Sequence, residues 1–78
     1  MAVLRLFASI RVAAGTGKTA IPGDTVGEVI NTASKQFGET FSTLLPNCKI
    51  WVNGKQADLS TSVVDEDEVA LLPPVSGG

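Results

Sequence analysis

The chain has 78 residues, 44% of them hydrophobic and 18% charged, which is the composition of one folded domain with no room for a second core. Its net charge is -2 and its six Lys and Arg are scattered, so the basic footprint of a nucleic-acid binder is missing. Apolar runs fall far short of the ~20 residues of a membrane helix, and no charged n-region opens the chain, so the sequence reads as cytoplasmic with no membrane partner.

Histidine is absent, which removes the commonest general base and zinc ligand. Cys48 is the only cysteine, so it has neither an internal disulfide partner nor a second thiol at metal spacing. It reads as buried or half-buried filler, the other reading being a reactive thiol. Side chains are therefore poor candidates for chemistry, no cofactor-binding motif is present, and no metal site is expected.

Val3 to Phe7 alternates with period two, as a strand does, with Leu4 and Leu6 on one face and Val3, Arg5 and Phe7 on the wetter one. Ala14-Gly15-Thr16-Gly17 reads as a turn into a short strand over 18–21, and the two strands are expected to form a hairpin. Thr25 and Glu28 have capping-box spacing. Behind them Val26, Val29, Ile30, Ala33 and Phe37 form one helical stripe, so a helix is expected over 25–37, ended by Gly38.

Glu39 to Leu45 suits one short helical turn, with Phe41, Leu44 and Leu45 under the sheet edge, stopped by Pro46. Ile50-Trp51-Val52, Asn53-Gly54 and Lys55-Gln56-Ala57 predict a hairpin, because Asn-Gly suits a type I′ turn. Trp51 reads as a packing residue, with a ligand platform as the alternative. Asp65-Glu66-Asp67-Glu68 is the one concentrated charge, either a solvated turn or a steering patch for a basic partner.

A last strand over 69–72 breaks at Pro73-Pro74, and Val75-Ser76-Gly77-Gly78 follows with a free carboxylate. The prolines supply no N–H and fix φ near about -65°, so sheet pairing ends while the exit stays extended. From Val75 to Gly78 the tail reaches roughly 13 Å at ~3.3 Å per residue, enough to thread a narrow channel. Glycine brings no side chain to block that channel. The competing reading is a frayed terminus without a role.

The predicted order places one main helix across a mixed sheet of four to five strands, with the first and last strands parallel at its centre. That is an α+β, β-grasp domain over 1–78, with a flexible tail over 73–78. If Leu4, Leu6, Val69 and Leu71 face the helix, Phe7 and Leu72 lie on the uncovered face beside the tail root. Phe7, Leu72, Pro73 and Pro74 are thus the candidate partner interface.

Three segments carry a family resemblance: Phe7-Ala8 with Arg11 and Gly15 at the start, Val52-Asn53-Gly54 in the middle, and Asp67-Glu68-Val69-Ala70-Leu71-Leu72-Pro73-Pro74-Val75-Ser76-Gly77-Gly78 at the end. In these the chain resembles the ubiquitin-like sulfur carriers, most closely the molybdopterin synthase small-subunit family. Glu66 departs from that pattern, which often has glycine in this turn, and suggests a turn without a positive φ or a strained one. The resemblance implies that Gly78 is adenylylated by a ubiquitin-activating-like enzyme using ATP and converted to a thiocarboxylate with sulfur from a donor protein. It then gives that sulfur to a pterin precursor, with Gly77, Ser76 and Val75 threading into the large subunit of a heterotetramer of two small and two large chains. The alternatives are a carrier for thiamin or cysteine synthesis, a ubiquitin-like modifier of lysines, or an ordinary binding domain.

Overall fold

The computed structural model describes residues 1–74. Its strands are β1 (Ala2–Leu6), β2 (Lys18–Ile21), β3 (Lys49–Val52), β4 (Lys55–Gln56) and β5 (Glu68–Leu72), and its helices are α1 (Ala8–Ala14), α2 (Val26–Phe37) and α3 (Glu39–Leu44). A 3₁₀ turn over Leu45–Asn47 follows α3. The sheet order is β2-β1-β5-β3-β4, with β1 and β5 parallel at the centre and the remaining pairs antiparallel. This is the β-grasp arrangement expected from the order of patterned segments.

Alternation in the central strands decides the layers. Ala2, Leu4 and Leu6 of β1 and Val69 and Leu71 of β5 are buried, and α2 covers them with Val26, Val29, Ile30 and Ala33. Phe41 of α3 is fully buried in the same core, and Leu44 and Leu45 pack against it. The Phe37 and Phe41 rings lie 5.2 Å apart at 48°, within the range of favourable tilted aromatic pairs.

Two local expectations are corrected. The first two strands do pair antiparallel, but no tight hairpin joins them: α1 fills the connection, buries Ile10 and ends at Gly15. Gly15 has φ 76° and donates its N–H to the Arg11 and Val12 carbonyls, a left-handed helix stop that suits glycine. The Thr25 cap is also only half of a reciprocal box. Thr25 Oγ1 accepts from the Glu28 N–H at 3.2 Å, whereas Glu28 Oε1 accepts from the Asp24 N–H, one residue earlier than expected. The reason is tertiary: Thr25 bridges Ser62, and the carbonyls of Thr61 and Leu59 accept from the N–H groups of Val26 and Gly27. The loop before β5 thus satisfies helix-end donors that a local box would otherwise serve.

The β3–β4 hairpin forms as predicted, with Asn53 and Gly54 both at positive φ, 51° and 82°. Trp51 does not sit in the core. Its neighbours Ile50 and Val52 pack there, and Trp51 lies half-buried on the opposite face.

Candidate functional site

Because β1 and β5 run parallel, their C-terminal ends arrive at one pole of the sheet. Leu6 pairs with Leu71, so Phe7 and Leu72 follow side by side on the face away from α2. Phe7 is 37% exposed and still extended, as the residue that precedes α1. Ala8 then takes φ 51°, an uncommon value for a residue with a Cβ, and turns the chain sharply into the helix. Leu72 is half-buried opposite Lys49 of β3; Pro73 is half-buried and Pro74 exposed. The four candidate interface residues therefore gather at the root of the tail. Val75, Ser76, Gly77 and Gly78, for which the resemblance implies the threading and reactive roles, lie outside the described residues.

The uncovered face extends this patch. Arg5, Ala70 and Trp51 occupy one row across the three central strands, continued by Lys18 on β2 and Gln56 on β4. Its chemistry is mixed: Trp51, Ala70 and Val3 are apolar, while Arg5 makes a 3.4 Å ion pair with Glu68. The Arg5 guanidinium also stands 5.8 Å from the Phe7 ring centroid, within cation–π range. Sequence reading found Phe7 and Leu72 from strand parity. It missed Trp51, because aromatic bulk points to a core as readily as to a surface; parity relative to Ile50 and Val52 was the available signal.

At the opposite end of β5 the acidic turn is a built structure. Asp67 accepts from the Val64 N–H and from Asn53 Nδ2, both at 2.9 Å, and these bonds hold its carboxyl below the usual aspartate range. Asn53 Oδ1 in turn accepts from the Glu68 N–H at 2.9 Å. The middle and end motifs are thereby tied together, fixing the start of β5 and hence the direction of its exit. Glu66 has no positive φ, so the departure from glycine leaves the turn unstrained there.

Cys48 is half-buried at the edge of an apolar cleft with Ile30, Leu45, Ile50 and Leu71, its Sγ donating to the Leu44 carbonyl at 3.4 Å. Burial pushes its thiol up, away from the thiolate form a nucleophile needs. Among the described residues no three His, Cys, Asp or Glu side chains gather as a metal would require. No helix among them is long and apolar enough to cross a membrane.

A β-grasp body with an apolar patch at the root of a Gly-Gly tail defines a ubiquitin-like carrier or modifier. Residues 4–78 match the ThiS family, and the chain belongs to that family. It is 34% identical over 85 residues to small archaeal modifier protein 1 of Haloferax volcanii, across 95% of this chain and 97% of that one. The solution structure of small archaeal modifier protein 1 from Methanosarcina acetivorans matches with a TM-score of 0.89 and 27% identity, over 99% of this chain and 95% of that one. A chain from the complex of subunits 1 and 2 of molybdopterin-converting factor from Helicobacter pylori 26695 matches with a TM-score of 0.71 and 31% identity, over 99% of this chain and 97% of that one.

Proposed function

We propose that the chain is the sulfur-carrying small subunit of a molybdopterin synthase, in which the Gly78 carboxylate becomes the reactive group. The observation that carries this reading is the placement of Phe7 and Leu72 at the tail root: a docking surface continuous with the segment that must enter a partner. A free carboxylate is resonance-stabilised and resists attack. Its anhydride with AMP, formed from ATP on an activating enzyme with loss of pyrophosphate, has a good leaving group. A sulfur donor then displaces AMP, and the terminal C–O bond is replaced by C–S. The thiocarboxylate is largely ionised near neutral pH and nucleophilic, by analogy with thiolates.

The tail enters the large subunit, and sulfur passes to the pterin precursor whose dithiolene later binds molybdenum. In this reading the chain itself binds no cofactor, and its role is to present Gly78. The resemblance to molybdopterin-converting factor at 31% identity supports this acceptor.

A second reading rests on the 34% identity to small archaeal modifier protein 1: the same activated terminus would join target lysines through an isopeptide bond. The intact mass of the protein isolated from cells separates the two. A gain equal to replacing one oxygen by sulfur is expected for the carrier, and ladders of heavier conjugates for the modifier. Deletion of Gly78 should abolish molybdenum-cofactor synthesis. Unchanged synthesis would sink the molybdopterin assignment.

A further inference from the structure

Asn53 is followed by Gly54, whereas Asn31 precedes Thr32 and Asn47 precedes Cys48. An asparagine amide is most open to attack by the next backbone nitrogen when that residue is glycine, because no side chain obstructs the approach. Asn53 and Gly54 are both exposed at the tip of the β3–β4 hairpin, and a Cβ on Gly54 would meet nothing within 4 Å. A five-membered ring has room to close there.

What opposes closure is tertiary. Asn53 Nδ2 donates to Asp67 Oδ1 and Asn53 Oδ1 accepts from the Glu68 N–H, both at 2.9 Å, so the side-chain amide is held at both ends. The Asn53 N–H donates to the Glu68 carbonyl at 2.9 Å, and Val52 pairs with Lys55 across the turn. The amide must leave both partners before its carbon can turn onto the Gly54 nitrogen. Opening of exposed bonds at a hairpin tip costs less than unfolding the core, so the folded chain visits that state.

We propose that Asn53 is a deamidation site held dormant by its bonds to Asp67 and Glu68, and that its conversion cuts the tie that fixes the start of β5. The Gly54 nitrogen attacks Asn53 Cγ; an N–Cγ bond forms, the Cγ–Nδ2 bond breaks, and Nδ2 leaves as ammonia with the proton from Gly54. Water then opens the resulting succinimide at one of its two carbonyls, leaving aspartate or isoaspartate at position 53. Nothing is oxidised or reduced. An aspartate there has no N–H to donate and sets its carboxylate about where Nδ2 stood, 2.9 Å from Asp67, where like charges repel. Isoaspartate instead adds a methylene to the main chain, which a two-residue turn between paired Val52 and Lys55 cannot absorb in register. Either product disturbs the sheet centre, because the Val3 N–H donates to the Asp67 carbonyl at 2.9 Å and Val3 stands opposite Glu68. The site therefore lies at the root of the parallel pair whose far end launches the tail, whichever acceptor that tail serves.

The test incubates the full chain in neutral buffer and follows the tryptic peptide from Ile50 to Lys55 by mass, reading the exchange of NH2 for OH. Wild type, D67A and G23A are compared under native conditions, with wild type in denaturant as the reference for an open chain. We expect D67A to deamidate about tenfold or more faster than wild type, and G23A, destabilised away from the hairpin, to stay close to wild type. Equal rates in wild type and D67A, or G23A as fast as D67A, would overturn the gate. A denatured chain that shows no conversion at position 53 would overturn the site itself. The consequence is read in N53D, which should lower Tm and speed amide exchange at Glu68. In N53D/D67N the amide and the carboxylate change places and every bond can form again, so most of the lost Tm should return. An unchanged Tm in N53D, or no recovery in the double variant, would overturn the release of β5.

Discussion

Asn53 and Asp67 show how much of the architecture rests on two polar side chains. Asp67 accepts two hydrogen bonds, and Asn53 returns one to the backbone of β5. The folded-state pKa of Asp67 is depressed by those bonds. The stabilisation is therefore present above the unfolded carboxylate value and lost as pH falls through the folded one. Tm should decline as pH falls through and below the usual aspartate range, and Asp67→Asn should shrink that decline while lowering Tm at neutral pH. Asp58, similarly held down by Ser60 and Thr61, accounts for part of the remaining acid sensitivity. An equal acid response in Asp67→Asn would show that the bridge contributes nothing to folding. Cys48 yields the companion prediction: its burial-raised thiol should react with a disulfide reagent more slowly than free cysteine at neutral pH, and denaturation should restore the rate. In the sequence these residues read only as motif letters, because a bond between positions 53 and 67 has no periodic signature.

Among the elements, α2 was the most legible and α1 the least. A helix of twelve residues with an apolar stripe shows its period several times over, whereas the seven residues of α1 bury Ile10 alone and look like a turn. The entry to α2 depends on Gly23. It has φ 154°, and a Cβ there would lie 2.8 Å from the Val29 backbone nitrogen and 2.9 Å from its Cγ2. Gly23→Ala should therefore cost about 2–3 kcal/mol in chemical denaturation, through overpacking of backbone that cannot move aside. A change near zero would mean the 22–25 turn repacks freely.

At the scale of the whole molecule, one small core carries the fold and one sheet face is left uncovered by helices. Phe41 is the largest fully buried side chain. Its truncation to Ala should cost about 3–5 kcal/mol, comparable with the whole stability of a domain this size. Phe7→Arg should change stability by less than about 0.5 kcal/mol, since Phe7 is a third exposed and outside the core cluster. The same substitution should abolish capture of the large subunit in copurification. Equal losses of folding and binding would place Phe7 in the core.

The sequence alone determined the order of strands and main helix, the faces that the first and last strands bury, and the Gly-Gly terminus as the chemical candidate. Each of these is written in local periodicity or in residue types whose backbone limits are intrinsic, as with Pro73 and Pro74. Only the tertiary structure decided what meets across the sheet. Parallel pairing of β1 with β5 puts Phe7 next to Leu72, and the 59–62 loop takes over part of the α2 cap. Those contacts join positions far apart in the chain, and their geometry exists only once the core has fixed strand order and register.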